Sequence, residues 1–288
     1  MVRILGLGDN TVDTYVDAGL QYPGGNAVNV AVMAKRLGAA TAYLGCFGSD
    51  EGGALLHQAL DEEGVDISRV RIRAGPNARA FIGHVNGDRQ FISSTPGVRA
   101  EYTWEEEDFA YIAGFDHVHT SIYSELGDAL PLIARHAASV SFDGSNRWTR
   151  DLLVEVLPHV RFAFLSGAEM DEAEALDVAQ KCLALGPEAV VVTRGSEGAL
   201  AVNSHGAIHQ TPKAARVVDT LGAGDGFISG FLTTALAGGS LETSMAQGAT
   251  FAALVCGWPG GFGHAAPWAG GAAARRADGT GEQGAEEG

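Results

Sequence analysis

Two carboxylates bracket three small residues in Asp219-Thr220-Leu221-Gly222-Ala223-Gly224-Asp225, just ahead of the apolar run that begins at Phe227. Small residues before an apolar helix leave backbone N–H groups uncovered. At a helix N-terminus those groups, together with the helix dipole, bind anions. Gly222, Ala223 and Gly224 thus form a candidate cradle for developing negative charge. A carboxylate beside such a cradle, Asp225, would deprotonate a hydroxyl while the cradle holds the phosphoryl group under attack. An acid in the first turn also stabilises a helix start by capping alone, and that reading stands beside the chemical one. Two other nucleotide-binding loops are excluded. No G-x-x-x-x-G-K-[ST] occurs, and Gly6-Leu7-Gly8 has Thr11 where a dinucleotide fingerprint needs its third glycine.

Further candidates lie upstream. Asp9 follows the β-rich run from Val2 to Leu7, at the end of a strand where open α/β sheets bind ligands. In Gly24-Gly25-Asn26-Ala27-Val28-Asn29, the two glycines allow a polyol to approach the backbone. Asn26 offers both a donor and an acceptor to vicinal hydroxyls and would also cap the helix that follows. The strand Val190 to Thr193 runs into Arg194, Gly195 and Gly198, a chain suited to close approach by phosphates or ribose. His117 and His119 alternate on a strand without metal-ligand spacing, which favours a structural role. Arg89 sits on a hairpin, either as a solvated strand charge or within reach of a substrate.

The segment Asp219 to Asp225 resembles the D-T-x-G-A-G-D signature of the ribokinase-like, or PfkB, carbohydrate kinases. That resemblance implies Asp225 as catalytic base and the amides of Gly222, Ala223 and Gly224 as anion hole. Gly24 to Asn29 is similar to the family's sugar-binding G-G-x-x-x-N, which implies substrate contacts from Asp9, Gly24, Gly25, Asn26 and Asn29, with Arg89 as a further candidate. Val192-Thr193-Arg194-Gly195-Ser196-Glu197-Gly198 resembles V-T-x-G-x-x-G and implies that Thr193, Gly195 and Gly198, with Gly222 and Gly224, line ATP. Ser166-Gly167-Ala168-Glu169 stands where many members carry N-x-x-E; Glu169 is kept and implies a Mg²⁺ contact at a helix start, while Ser166 replaces Asn. Phe142-Asp143-Gly144-Ser145-Asn146-Arg147 is similar to D-x-N-x-R with an offset Asn and implies only a phosphate or sugar contact. Gly226 departs from the usual Ser or Ala and touches no proposed role. A monovalent cation near Asp219 is a further implied feature.

The stretch from Asp9 to Gly24 is short for this family. With "GDNTVDTY", "YPGGNAVNVAV" and "GVDISRV", the chain resembles bacterial fructoselysine 6-kinases, which phosphorylate Amadori compounds. Other specificities within the fold remain open: ribose, fructose, 2-keto-3-deoxygluconate or a nucleoside. A sugar sensor without catalysis is the alternative from a different class.

These residues need a scaffold. Short β-rich runs alternate with helical periodicity throughout, which predicts an α/β fold with a mostly parallel central sheet and helices on both faces. Arg79 to Val85 and Arg89 to Ser94 flank Asn86-Gly87, a hairpin signal, and predict a small β lid with strands near 10–22 and 79–94. The kinase domain is expected over 1–258. Residues 259–288 turn rich in Gly and Ala and are expected to form a disordered tail. With 288 residues, 46% of them hydrophobic, the chain can bury one large core. A formal net charge of −16 repels nucleic acid and anionic membrane, so neither is expected as a partner. Cys46, Cys182 and Cys256 are scattered and odd in number, consistent with a reducing cytoplasm. No apolar run approaches the roughly 18 residues of a membrane span. Homodimers through the lid are common in the family, and the short segment leaves that state open.

Overall fold

The computed structural model describes residues 1–85, 88–268 and 270. The Asn86-Gly87 turn and the tail beyond residue 270 lie outside the described residues. The chain opens with β1 (Arg3–Gly8), β2 (Thr11–Tyr15), β3 (Leu20–Gly24), α1 (Asn26–Arg36), β4 (Ala40–Gly48), α2 (Glu51–Glu62) and β5 (Arg71–Arg73). It continues through β6 (Arg79–Val85), β7 (Asp88–Thr95), α3 (Glu106–Ile112), β8 (His117–Ser121), α4 (Ala129–His136), β9 (Val140–Asp143) and α5 (Arg150–Val156). It ends with β10 (Phe162–Ser166), α6 (Glu172–Leu183), β11 (Ala189–Thr193), β12 (Ala199–Asn203), β13 (Gly206–Gln210), α7 (Ala223–Leu236), α8 (Leu241–Val255) and β14 (Ala266–Pro267).

A nine-stranded sheet has the order β13-β12-β11-β10-β9-β8-β1-β4-β5. It is parallel from β11 to β5 and antiparallel at the β12 and β13 edge. Its strands feed two cores by alternation. Leu5, Leu7, Val118, Ala163, Leu165, Val190 and Val192 belong to the layer that also holds residues of α3 to α6, such as Ile112, Ile133, Leu153 and Ala179. Ile4, Phe162, Phe164 and Val191 belong to the opposite layer with residues of α1, α7 and α8, such as Val30, Phe231 and Met245. Strands buried on both faces explain the near-continuous apolar runs. Because β1 is central and the chain leaves it first toward β4 and later toward β8, the direction of winding reverses between β1 and β8. In open α/β sheets, ligands bind beyond the strand ends at such a reversal.

A second sheet, ordered β14-β3-β2-β6-β7, joins the two segments read as lid strands. Tyr15, Tyr22 and Ile82 form its small core, with the two tyrosine rings edge to face at 5.3 Å. Phe91 and Ile92 on its β7 edge are 67% and 57% exposed.

Three sequence expectations need correction. The domain does not stop at 258: Phe262 is 2% exposed and packs in the α1, α2 and β4 core, and β14 pairs antiparallel with β3. A single aromatic residue and two paired residues anchor a Gly-rich segment whose composition reads as a tail. The helix after Ser166 begins at Glu172, because Asp171 caps it in a reciprocal box with Glu174, so Glu169 lies in the preceding turn. Gly226 is not incidental. A Cβ there would fall 2.6 Å from Val255 Cγ2, so the glycine is required by the crossing of α7 and α8. Among the described residues, no helix is long and apolar enough to cross a membrane.

The same crossing makes a test. A Cβ on Gly230 would lie 2.6 Å from the carbonyl oxygen of Gln247 and 3.0 Å from Gly248 Cα. Helix propensity alone favours Ala over Gly by about 1 kcal/mol, whereas overpacking against backbone costs about 1–3 kcal/mol. Gly230→Ala is therefore expected to lower the urea midpoint. A raised midpoint would mean that the two helices separate without cost.

Candidate active site

Helix α7 starts at Ala223 behind Gly222, whose φ of 78° places the N-cap in the left-handed region. No side chain caps this first turn. The Ala223 amide is drawn 3.3 Å to the carbonyl of Thr220, which leaves Gly224 and Asp225 as the leading donors of the turn. The expected cradle is therefore a helix N-terminus without an internal cap, the arrangement that favours an anion. Asp219 is tied into the scaffold. Its carboxylate accepts from the amides of Leu221, at 2.9 Å, and Gly260, at 3.1 Å, and from the hydroxyl of Tyr15 on β2. These donors occupy the group that the sequence associated with a monovalent cation, and no step is assigned to such an ion.

Asp225 is held from α1. Asn26 Nδ2 donates to its Oδ1 at 2.7 Å, and Asn29 Nδ2 donates to its Oδ2 at 2.6 Å. The same Asn26 amide donates at 2.9 Å to Asp143, the last residue of β9. Two carboxyl groups on one side require the NH₂ end of the amide there, so Asn26 Oδ1 faces the other way. It meets His119 Nε2 at 2.8 Å. An amide oxygen only accepts, so His119 carries its proton on Nε2. Its Nδ1 then accepts from Ser141 Oγ at 2.7 Å, and Ser141 Oγ accepts from His117 Nε2 at 2.8 Å. Burial keeps both histidines neutral, His119 pushed down to about 3 and His117 well below its ordinary value. The structural reading of these histidines holds, with an addition the spacing did not reveal: His119 orients a residue of the site.

The carboxyls themselves are perturbed. Both keep part of their surface open to solvent. Burial in protein, reinforced by the charges of Asp225 and Asp9, pushes Asp143 up to about 8, against an opposing bond from the Ser145 amide. Burial and the Asp9 charge push Asp225 up to about 7, against the two asparagine donors. One amide bridges the two acids, so they titrate as a coupled pair. The sequence resemblance implies for Asp143 only a phosphate or sugar contact. The signal that could have found it is its place at the end of a parallel strand, the same signal that singled out Asp9.

The sugar-side residues divide differently from expectation. Asp9 is 2% exposed. It accepts from the Asn26 and Ala27 amides at 2.6 and 3.3 Å and from the hydroxyls of Ser121 and Ser124 at 2.7 and 3.0 Å. Three of these bonds fall on Oδ1 and one on Oδ2, so Oδ2 keeps an acceptor position. Asp9, not Asn26, thus satisfies the first amides of α1; the N-cap is Gly25, without a side-chain cap bond. All three polar contacts of the Asn26 amide are likewise committed inside the protein. Gly25 has φ 105° and a Cβ there would sit 2.5 Å from Asn10 Cα, while at Gly24 it would meet Asp13 Oδ2 at 2.1 Å. These glycines admit the protein's own chain. Asn29 Oδ1 is buried with no donor among the described residues. Arg89 is on β7 opposite His84, and its side chain lies outside the described residues.

The remaining candidates gather at the ends of β10 and β11. Thr193 closes β11, and its carbonyl accepts from Gly167 at 2.9 Å. Gly195 follows in open space, with φ 56°. Gly198 is packed: a Cβ there would lie 2.1 Å from the Gln210 carbonyl oxygen. Arg194 is held by its Nε to the Met170 carbonyl at 3.1 Å. Glu169 is exposed in its turn. Among the described residues no group of three His, Cys, Asp or Glu could hold a metal. A free carboxylate of this kind still suits Mg²⁺, which is bound through one or two carboxylates plus phosphate and water.

A family model described as pfkB family carbohydrate kinase matches residues 5–265. The chain belongs to this family. This carbohydrate kinase is 39% identical over 271 residues to a fructosamine kinase of Bacillus subtilis, covering 93% of this chain and 95% of the relative. It is 38% identical over 253 residues to fructoselysine 6-kinase of Escherichia coli, covering 88% and 97%. Among solved structures, a ribokinase of Arabidopsis thaliana complexed with ribose and ATP shares the ribokinase-like fold, with a TM-score of 0.77, 21% identity and coverage of 89% and 92%.

The kinase's paired acids predict a pH dependence of stability. An unfolded Asp titrates near 3.9, whereas Asp143 and Asp225 are raised to about 8 and about 7. The folded state therefore binds more protons between about pH 4 and 8, and stability falls as pH rises across that window. Asp143→Asn removes one of the two groups. Its urea midpoint should decline less between pH 5 and 9 than that of the unaltered enzyme; parallel declines would show that Asp143 ionises as freely folded as unfolded.

Proposed function

We propose that this chain transfers the γ-phosphoryl group of ATP to a hydroxyl of an Amadori-type sugar such as fructoselysine, with Asp225 as the general base. The observation that carries the base is its setting. Asp225 follows an uncapped helix N-terminus, is oriented by two asparagine amides, and is raised to about 7. A base whose pKa lies near the operating pH combines a useful ionised fraction with driving force for proton removal. Similarity to the fructosamine and fructoselysine kinases supports the substrate class.

In this reading the sugar lies over Asp225 and Asp143, beside the α1 segment that contains Asn26 and Asn29. The Asp225 carboxylate takes the hydroxyl proton as the oxygen attacks the γ-phosphorus and ADP departs. The amides of Gly224 and Asp225 receive the charge that builds on the phosphoryl oxygens, in a cleft where such charge is poorly screened. Thr193 and Gly195 line the nucleotide. Gly198 shapes that loop from behind, and Gly222 turns the chain into α7. Glu169 would hold Mg²⁺, which supplies neutralisation of phosphate charge. Asp9 and His119 act one step removed: Asp9 fixes the start of α1, and His119 fixes the Asn26 amide. Ser121 and Ser124 occupy Oδ1 of the buried Asp9, so a sugar hydroxyl would reach it at Oδ2.

Two measurements test this. In Asp225→Asn, turnover should fall by about 10²–10⁴-fold, the typical contribution of a general base, with little change in sugar binding. Retained turnover would remove Asp225 from the chemistry. In the unaltered enzyme, kcat/KM should rise with pH through about 7 as Asp225 ionises; a profile flat from pH 5 to 9 would exclude a base of this pKa. Coupled assays of ADP release decide the substrate: turnover of ribose or fructose without turnover of any Amadori compound would move the enzyme elsewhere in the family.

A further inference from the structure

A cavity of about 130 Å³ opens beside Asp9, on the side of β1 that faces β4. This is room for several waters, and so for several ligand atoms. Its far wall is built from two short turns. Gly97–Glu101 forms a 3₁₀ turn after β7 and supplies Arg99, followed by Tyr102 and Trp104. Ile122–Ser124 forms another after β8 and is followed by Glu125.

Three features of this wall bear on what the cavity could hold. Arg99 is half-buried, yet among the described residues its guanidinium has no hydrogen-bond or ion-pair partner. Glu125 lines the same cavity from its solvent side: it is exposed, and its carboxylate has no partner among the described residues. Glu125 adopts φ 50°, ψ 41° as the C-cap of the Ile122–Ser124 turn, its amide donating to the Ile122 carbonyl at 3.3 Å, a left-handed conformation uncommon for a non-glycine residue. Tyr102 and Trp104, 5.0 Å apart and edge to face, supply an apolar surface in the same wall.

A neutral sugar would leave both charges unanswered, and a phosphate would satisfy Arg99 while opposing Glu125. A ligand bearing one carboxylate and one ammonium on an alkyl stem answers all three features: a guanidinium for the carboxylate, a carboxylate for the ammonium, aromatic faces for methylenes. Resting on the Amadori reading above, we infer that this cavity is the subsite for the amino-acid end of the substrate, with Arg99 binding its carboxylate and Glu125 its ammonium group. The sugar then lies toward Asp225, and the amino-acid end extends past Asp9 between the two turns. The enzyme would thereby select glycated amino acids over glycated simple amines.

The test compares three acceptors in an ADP-release assay: fructoselysine, the fructosyl derivative of 1,5-diaminopentane, which lacks the carboxylate, and that of 6-aminohexanoate, which lacks the α-ammonium. The unaltered enzyme is expected to lose about tenfold or more in kcat/KM on each truncated acceptor. Arg99→Gln should lose a similar factor on fructoselysine and little further on the carboxylate-free acceptor. Glu125→Gln should behave in the same way toward the ammonium-free acceptor. Equal kcat/KM for the three acceptors in the unaltered enzyme would overturn the subsite while leaving the Amadori reading intact. So would a uniform loss across all three in a folded Arg99→Gln. Absence of turnover on all three, with turnover of another sugar, would overturn the Amadori reading and the subsite with it.

Discussion

The carboxamide of Asn26 has a single orientation open to it, and much of the site depends on that orientation. Its NH₂ end lies between the carboxyls of Asp143 and Asp225, and its oxygen faces His119. Reversed, the amide would set an oxygen against two acids. The relay through Ser141 to His117 takes its direction from this amide, since hydroxyl and imidazole can each donate or accept. A polar network in a low-dielectric interior is strong when every member is satisfied and costly when one is not. Asn26 therefore holds the proposed base at a fixed place on α7 while itself belonging to α1.

This constraint explains the crowding of small residues around α7. The helix start must come close to α1 for Asn26 and Asn29 to reach Asp225. Gly226 and Gly230 bring α7 against α8, and Gly222 turns the chain where a side chain would meet Gly261. Asp219 fastens the same turn to Tyr15 of the small sheet and to Gly260. The signature segment is thus a junction of the α7 start, the small sheet and the 260 loop, and its glycines serve packing as much as anion binding.

Charge organises the cleft in the opposite sense from its expected cargo. Asp9, Asp143 and Asp225 concentrate negative charge where a phosphorylated cofactor would approach. Raised carboxyl affinities for protons reduce that charge near neutral pH. The uncapped turn of α7 offers a helix dipole, and Glu169, the proposed Mg²⁺ contact, is exposed. In the cavity beside Asp9, Arg99 and Glu125 present opposite charges.

Local pattern was enough for much of this. Alternating β-rich runs and helical periodicity determined the α/β class, because a strand buried on both faces and a helix with one apolar stripe leave different traces in sequence. The spacing of Asp219 to Asp225 determined the place of the proposed base, because an anion site at a helix start is built from consecutive residues. Tertiary structure decided what lies far apart in the chain. It decided that Asp9 caps α1 rather than standing open, that Asn26 serves Asp225 and Asp143 through a histidine relay, that Gly24 and Gly25 admit the chain itself, and that Phe262 anchors what composition reads as a tail. Each of these rests on a hydrogen bond or contact between segments from 11 to well over 200 residues apart. Such partners are chosen by the winding of the sheet, and a one-dimensional pattern carries no record of that choice.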